Sequence, residues 1–293
     1  DYPSSATFSW NDAVHKDGET KEESNAANTA ATAEEVYNDD IYVGYRYFET
    51  FAPERVMYPF GFGLTYTTFT IETEKAESTA DAINFQVKVT NTGDYAGKEV
   101  VQIYLCAPQG KLGRPARELV AFAKTGLLQP RQMQKLELSV PVSRLAAYDD
   151  GGVTGEKSCY VLEAGTYVFY VGNSVRDVKE VSVDAKAGYE VADLTVVERL
   201  EEAMAPTENF ERMKPGKAQT KEDGSVVYEL TYEKVPTRTT DLAKRIKDRM
   251  PQTIPQTGNQ GIVLKDVAEG KATLEQFIAQ LTDQELATLV RGE

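Results

Sequence analysis

The stretch YPFGFGLTYTTF, residues 58–69, holds five aromatic rings and two glycines in twelve residues and then turns into a threonine-rich alternation. A helix does not tolerate Gly61 and Gly63 so close together, and a central strand gains nothing from them, because glycine loses the most backbone entropy and offers no side chain to pack. The first half therefore reads as a shaped connector. In the second half Leu64, Tyr66 and Thr68 alternate with Thr65, Thr67, Phe69 and Ile71. These residue types fit a pleated sheet and predict the first strand of a β domain.

Downstream the same character repeats. AINFQVKVTNTG (82–93) alternates Ile83, Phe85, Val87 and Val89 against polar neighbours and ends on a turn signal. KEVVQIYLCAP, RELVAFAKTGLL, QKLELSVPVSRL, KSCYVLE, GTYVFYVGN and VKEVSVDA follow at near-regular spacing, separated by Gly, Pro and Asn. About eight such strands predict a mainly β fold: an immunoglobulin-like antiparallel sandwich over residues 65–185. In LEAGTYVFYVG, Leu162, Gly165 and Tyr167 have the pattern of a sandwich corner, where a tyrosine hydroxyl at a strand start bonds back to upstream backbone. The lone tryptophan, Trp10, lies far outside the sandwich. A fibronectin type III-like variant therefore fits better than an antibody-type domain.

Before the sandwich, residues 1–64 read as an irregular connector. Residues 11–35 are polar and aperiodic and suggest an exposed excursion. YNDDIYVGYRYFETF (37–51) then interleaves Tyr42, Tyr45 and Tyr47 with Asp39, Asp40, Arg46 and Glu49, a pattern that a monomer surface rarely leaves exposed. Tyr42, Tyr45, Arg46, Tyr47, Phe60, Gly61, Phe62, Gly63 and Tyr66 are accordingly the candidate interdomain packing residues.

After Ala185 the pattern suggests a linker with short helices, over residues 186–270. DLTVVERLEEAM (193–204) places Leu194, Val197, Leu200 and Met204 on one helical face, and TDLAKRIKDRM (240–250) does the same with Leu242, Ile246 and Met250 before Pro251 stops it. GSVVYELTYEKVPT (224–237) reads as an extended connecting segment outside the core. Thr273 with Gln276, and Thr282 with Glu285, make two successive capping boxes. The helices they open carry Leu274, Phe277, Ile278 and Leu281, then Leu286, Leu289 and Val290. These apolar faces want a cover, so self-association of the chain is expected wherever none is supplied.

Composition narrows the chemistry. At 293 residues with a formal charge of −14 the chain repels phosphate backbones and anionic lipid, and no apolar run approaches the ~20 residues of a membrane helix; neither nucleic acid nor membrane is an expected partner. Cys106 and Cys159 have no metal or CxxC spacing and read as small hydrophobes in strands. His15 is the one histidine and lies in a polar stretch, which argues against Ser–His, Cys–His or histidine–metal chemistry. No metal or cofactor is expected. Acidic pairs such as Asp39–Asp40, Asp149–Asp150 and Glu201–Glu202 read as solvated surface, and DDGGVTGEKS (149–158) reads as a turn rather than a calcium loop. The opening DYPSSATFSW has neither a basic leader nor an apolar signal core, so it looks like a cut, and a cytoplasmic setting is expected over a secreted one.

IYVGYRYFETF followed by YPFGFGLTYTTF resembles a junction in family 3 glycoside hydrolases, the β-glucosidase group, where an α/β sandwich domain leads into a fibronectin type III-like domain. RPARELVAFAKTGLL and LEAGTYVFYVGNS resemble later strands of that domain. ATLEQFIAQLTDQELATLVRGE resembles the opening of the family's (β/α)8 barrel, which would place residues 271–293 at the start of a catalytic domain in the permuted order of sandwich, fibronectin-like domain, barrel. The resemblance implies a retaining enzyme acting on β-glucosides with two carboxyl groups ~5 Å apart. No Ser-Asp-Trp nucleophile motif is present, and the acid/base region would lie upstream of Asp1. The resemblance thus implies a non-catalytic part whose partners are the catalytic domains of the same polypeptide. The alternative reading is a stand-alone carbohydrate-binding sandwich. Glu293 is the one residue that would border a barrel loop.

Overall fold

Four side chains on one face of a single strand, Ile83, Phe85, Val87 and Val89, are fully buried, and the sandwich is built around them. The computed structural model describes residues 8–9, 34–202, 205–222, 224–251 and 253–292. Trp10, His15, Met204, Glu293 and nearly all of the polar excursion at 11–35 lie outside the described residues. Two dipeptide strands, β1 (Phe8–Ser9) and β2 (Glu34–Glu35), pair antiparallel across that excursion.

The first sheet of the sandwich has the order β3-β4-β7, made of Phe69–Ser78, Ala82–Asn91 and Met133–Pro141. The second runs β11-β10-β5-β6, made of Val178–Val181, Gly165–Gly172, Val100–Cys106 and Glu118–Lys124, with β12 (Tyr189–Val191) also pairing β10. All pairings are antiparallel. Period-two alternation puts Val101, Ile103 and Leu105 of β5, Leu136, Leu138 and Val140 of β7, and Tyr167, Phe169 and Val171 of β10 into one core with β4. Phe85 and Phe169 meet across the two sheets at 5.3 Å between ring centroids. Each such aliphatic or aromatic side chain gains roughly 1.5–3 kcal/mol from full burial.

The structure differs from the sequence expectations in four places. The first strand begins at Phe69, not near Leu64. The described part of the 193–204 stretch, residues 193–202, does not form a helix, and Met204 lies outside the described residues: Thr195–Arg199 is a strand, β13, in a side sheet of order β13-β9-β8 with Cys159–Leu162 and Ala147–Asp149. Thr195, Val196 and Val197 are β-branched, and the free edge of β9 offers them a ladder, Thr195 opposite Leu162 and Arg199 opposite Cys159. Residues 211–234 are no loose connector but a long hairpin of β14 (Glu211–Thr220) and β15 (Val226–Lys234), with Met213 and Val227 buried. Lastly, the stretch before the sandwich is not wholly irregular, since Tyr45–Phe51 forms a helix, α1, followed by a 3-10 turn at Pro53–Arg55. A second small core joins Tyr42, Tyr47, Ala52 and Met213, flanked by Phe48, Phe51 and Leu230, so α1 and the hairpin stabilise each other.

The chain divides into two compact units, up to Arg238 and from Thr239. The second unit holds α2 (Leu242–Asp248), α3 (Leu264–Ala268), α4 (Leu274–Ala279) and α5 (Asp283–Arg291). Asp241 caps α2 by accepting from Lys244 N. Thr273/Gln276 and Thr282/Glu285 form reciprocal capping boxes on α4 and α5. The Gln280 side chain, buried behind α4, accepts from Gln260 N and Ile262 N and donates to Ile262 O, fixing the extended segment that precedes α3. Leu274, Leu289 and Val290 stay exposed.

Candidate interdomain surface

The outer face of the five-stranded sheet is covered by the chain that leads into it. In register, Tyr104 of β5 lies opposite Tyr170 of β10 and Leu119 of β6, and Gln102 lies opposite Phe122. Helix α1 docks on this face. The amide of Leu119 donates to Tyr45 Oη at 2.8 Å, and the Tyr45 ring meets Tyr104 edge-on at 6.0 Å. Thr50, fully buried, accepts from Ala116 N through Oγ1, and Arg176 holds both Glu49 and the Pro53 carbonyl.

From α1 the chain runs back as a strap. Phe60 stacks on Tyr45 at 4.9 Å, and its carbonyl accepts from Val175 N at 2.9 Å. Gly61 follows at φ +91°, and a Cβ there would sit 2.7 Å from Ser174 Cα and 2.8 Å from both Asn173 O and Gln102 Nε2. Glycine is required at that point by conformation and space together. At Gly63 neither holds: no atom lies within 4 Å of a Cβ built there. The expectation that both glycines shape the bend therefore narrows to Gly61.

The sequence-derived packing residues separate into two groups. Tyr42 and Tyr47 are buried within this chain, and Tyr45 and Arg46 are half-buried. Phe60, Phe62 and Tyr66 are exposed, as are their neighbours Met57, Tyr58 and Leu64; Leu64 and Tyr66 reach 94%. Tyr58 and Phe62 touch only at the ring level, 5.0 Å apart, and Phe122 adds another exposed ring beyond Gln102. Six large apolar side chains exposed within residues 57–66 exceed what single scattered surface hydrophobes account for.

Carboxylates expected to face solvent are instead structural. Arg212 of β14 binds Asp150 through both terminal nitrogens, at 2.7 and 3.1 Å, binds Glu233 of β15 at 2.9 Å, and stands 3.5 Å from Asp40. Lys214 shares Glu233. Three separate segments are tied to one guanidinium, whose planar fork suits such sharing. Burial raises the Asp40 pKa, with Asp150, Glu233 and Asp39 adding to the shift and Arg212 opposing it. Asp149 is wholly buried and caps the turn after β8: Oδ1 accepts from Gly152 N and Val153 N, Oδ2 from Thr154 N and Oγ1. Burial penalises its charge, yet these donors prevail and hold the carboxyl below its ordinary value. Glu118 is engaged by Arg114 at 2.7 Å. A retaining glycosidase needs one free ionised carboxylate facing one protonated carboxyl, and these groups are instead committed to clamping the fold.

At the sandwich corner, buried Tyr167 donates from its hydroxyl to Glu163 O at 3.1 Å. Cys159 is buried in β9 and Cys106 half-buried in β5, both as free thiols, and burial raises the Cys106 pKa. Among the described residues no three His, Cys, Asp or Glu side chains converge to hold a metal ion. Sequence reasoning missed Arg212, Asp149 and Thr50. The signal available for Asp149 was the Asp-x-x-Gly spacing of an Asx-type turn; for Arg212, whose partners lie 62 and 172 residues upstream and 21 downstream, none was.

Residues 99–175 match the fibronectin type III-like domain. The chain is 46% identical over 259 residues to a β-glucosidase of Ruminococcus albus, covering 88% of this chain and 26% of that protein. It is 39% identical over 298 residues to β-glucosidase A of Butyrivibrio fibrisolvens, covering 88% and 34%. The crystal structure of a β-glucosidase from Paenibacillus barengoltzii superposes with a TM-score of 0.81 at 56% identity, over 87% of this chain and 28% of that one. The chain therefore spans about a quarter to a third of the length of these relatives.

Proposed function

From the premise that this chain belongs with the family 3 glycoside hydrolases of the β-glucosidase group, we propose that it is a non-catalytic, interdomain part of an enzyme that removes terminal β-D-glucosyl residues. In this reading the sandwich is a rigid spacer, and the strap at residues 57–66 is the surface on which a catalytic domain of the same polypeptide rests. The observation that carries it is the row of exposed rings fixed to the sheet by Phe60 and Gly61. A flexible linker would leave such residues free to collapse; here half the strap is locked in place and the other half is presented outward. In this reading residues 271–293 open the barrel that brings the nucleophile, and retention of configuration follows from the two-carboxylate mechanism of that catalytic pair.

Two measurements test this. The purified chain should give no turnover of an aryl β-glucoside, and turnover abolished by a single carboxylate substitution within residues 1–293 overturns the reading. Replacing Tyr58, Phe62 and Tyr66 by serine should leave the melting of the isolated chain within about 1–2 °C, since exposed side chains contribute little to its own fold, while lowering the stability and activity of the longer enzyme. Retardation of the isolated chain in affinity electrophoresis on soluble β-glucans would favour a stand-alone carbohydrate-binding sandwich instead.

A further inference from the structure

Where the strap runs into β3, one fully buried side chain, Asn91 at the end of β4, ties it to one end of the sandwich. Asn91 Oδ1 accepts from Thr67 Oγ1 at 2.7 Å and from Gly93 N at 3.1 Å, while Nδ2 donates to Tyr95 O at 2.7 Å and to Leu128 O at 2.9 Å, so every hydrogen-bonding position of the amide is filled. Three loops are thereby held to one another: the end of the strap, the turn between β4 and β5, and the turn between β6 and β7. Thr92 N donates to Thr68 O, and Gly97 exchanges both backbone hydrogen bonds with Leu128. Each of the three loops turns an apolar side chain outward: Tyr66 beside Thr67, Tyr95, and Leu127 beside Leu128 are all exposed. Their exposure contributes nothing to the fold that holds them so firmly, and a cluster of this kind marks an interaction surface. Charge marks the same end. Lys98 follows Gly97, and Lys124 lies on the same face of β6 as exposed Phe122. Both lysines are exposed and make no ion pair with another described residue, in a chain whose formal charge is −14.

Resting on the reading of this chain as an interdomain part, we propose that the sandwich end built around Asn91 is a second docking surface, continuous with the strap, and that it receives a domain of the same polypeptide whose face has an apolar centre and carboxylates at its edge. Tyr66, Tyr95 and Leu127 supply the apolar centre on this side, and Lys98 and Lys124 supply the complementary rim. Chain enough for such a domain exists in the relatives, because the match covers only 26% and 34% of the two β-glucosidases above. A second copy of this chain is disfavoured: a two-fold contact sets the same patch against itself and brings two pairs of unpaired lysines together. A nucleic acid or an anionic membrane is disfavoured by the overall charge of −14, which two lysines do not offset.

The test is hydroxyl-radical footprinting and lysine acetylation of the 293-residue chain beside the longer enzyme that contains it. In the longer enzyme, oxidation of Tyr66, Tyr95 and Leu127 and acetylation of Lys98 and Lys124 should fall several-fold relative to the isolated chain. Protection of Tyr58 and Phe62 with Tyr95 and Leu127 unchanged would overturn this inference and leave the interdomain reading of the strap standing, whereas no protection at either place would overturn both. Protection of Tyr95 and Leu127 that grows with concentration in the isolated chain would assign the surface to a second copy and overturn the inference as well. Lys98→Glu combined with Lys124→Glu should leave the melting of the isolated chain within about 1–2 °C, because both side chains are exposed, and should restore the labelling of Tyr95 in the longer enzyme. Undiminished protection of Tyr95 in the charge-reversed enzyme would overturn the carboxylate-edged partner.

Discussion

Replacing Tyr167 by phenylalanine keeps the ring in the core and deletes one hydrogen bond, to Glu163 O at 3.1 Å. The ring is 1% exposed and packs with the sandwich core, so no cavity opens. What is lost is the net worth of a neutral hydrogen bond, about 0.5–1.5 kcal/mol, plus up to a few kcal/mol if the carbonyl is stranded. Glu163 is only half-buried, which lets water reach the freed carbonyl. Its carboxylate also accepts from Lys111 N and Leu112 N, so the loop is held independently of the tyrosine. The expected loss is therefore about 1 kcal/mol. With a urea m-value of roughly 1–3 kcal/mol/M, the midpoint should fall by about 0.3–1 M at unchanged m. Tyr170→Phe is the control three residues along β10, on the opposite face of the strand: its hydroxyl meets Glu180 at 3.3 Å on the exposed side, and its loss should cost at most about 0.5 kcal/mol. Equal midpoints for wild type and Tyr167→Phe, or equal shifts for the two variants, would refute the corner as a stabilising element.

Gly61→Ala should cost about 2 kcal/mol or more, because a positive φ and a collision with the Ser174 backbone act together, whereas Gly63→Ala should be near neutral; paired thermal melts decide. Asp149→Asn should cost about 2–3 kcal/mol, since an amide nitrogen would face donors that a carboxylate accepts. The native Asp149 pKa lies below the unfolded value of 3.8, so its stabilisation is complete above that value and is lost as pH falls through the native one; melts from about pH 6 to pH 2 should show that loss in wild type and not in the variant. Arg212→Met should destabilise by about 1–3 kcal/mol, less than for a fully buried pair because the side chain is 20% exposed; chemical denaturation of the two proteins side by side checks it.

The sandwich was legible because its strands alternate, and alternation is a local property. Ile83, Phe85, Val87 and Val89 announce a buried face without knowledge of any partner, and Thr273 with Gln276 announces a helix start within four residues. The elements that escaped reading are those whose conformation is decided by distant chain. Residues 193–204 carry a plausible helical stripe, yet the open edge of β9 pairs with Thr195–Arg199, and hydrogen bonding along that edge overrides periodicity. β14 contains Pro215 and Gly216, residue types that ordinarily punctuate chains rather than strands; in the fold they occupy a bulge between Pro215 and Ala218, where a strand tolerates both. Arg212 was invisible because a charged residue in a polar stretch acquires meaning only from partners that the fold delivers.

The rings that open the strap remain the most instructive case, because one composition conceals two physical situations. Phe60 finds Tyr45 and the Val175 amide inside this chain, so its position is explained by contacts that are present. Tyr58, Phe62, Leu64 and Tyr66 lie within six residues of it and remain exposed. Since full burial of each such side chain yields roughly 1.5–3 kcal/mol, a surface that leaves them in water forgoes stabilisation which a packed neighbour would recover. Gly61 makes the distinction structural: it anchors the strap so closely to the Ser174 turn that the flanking rings cannot all fold down onto the same sheet. The exposure follows from that anchoring, and a surface so built is suited to receive another domain.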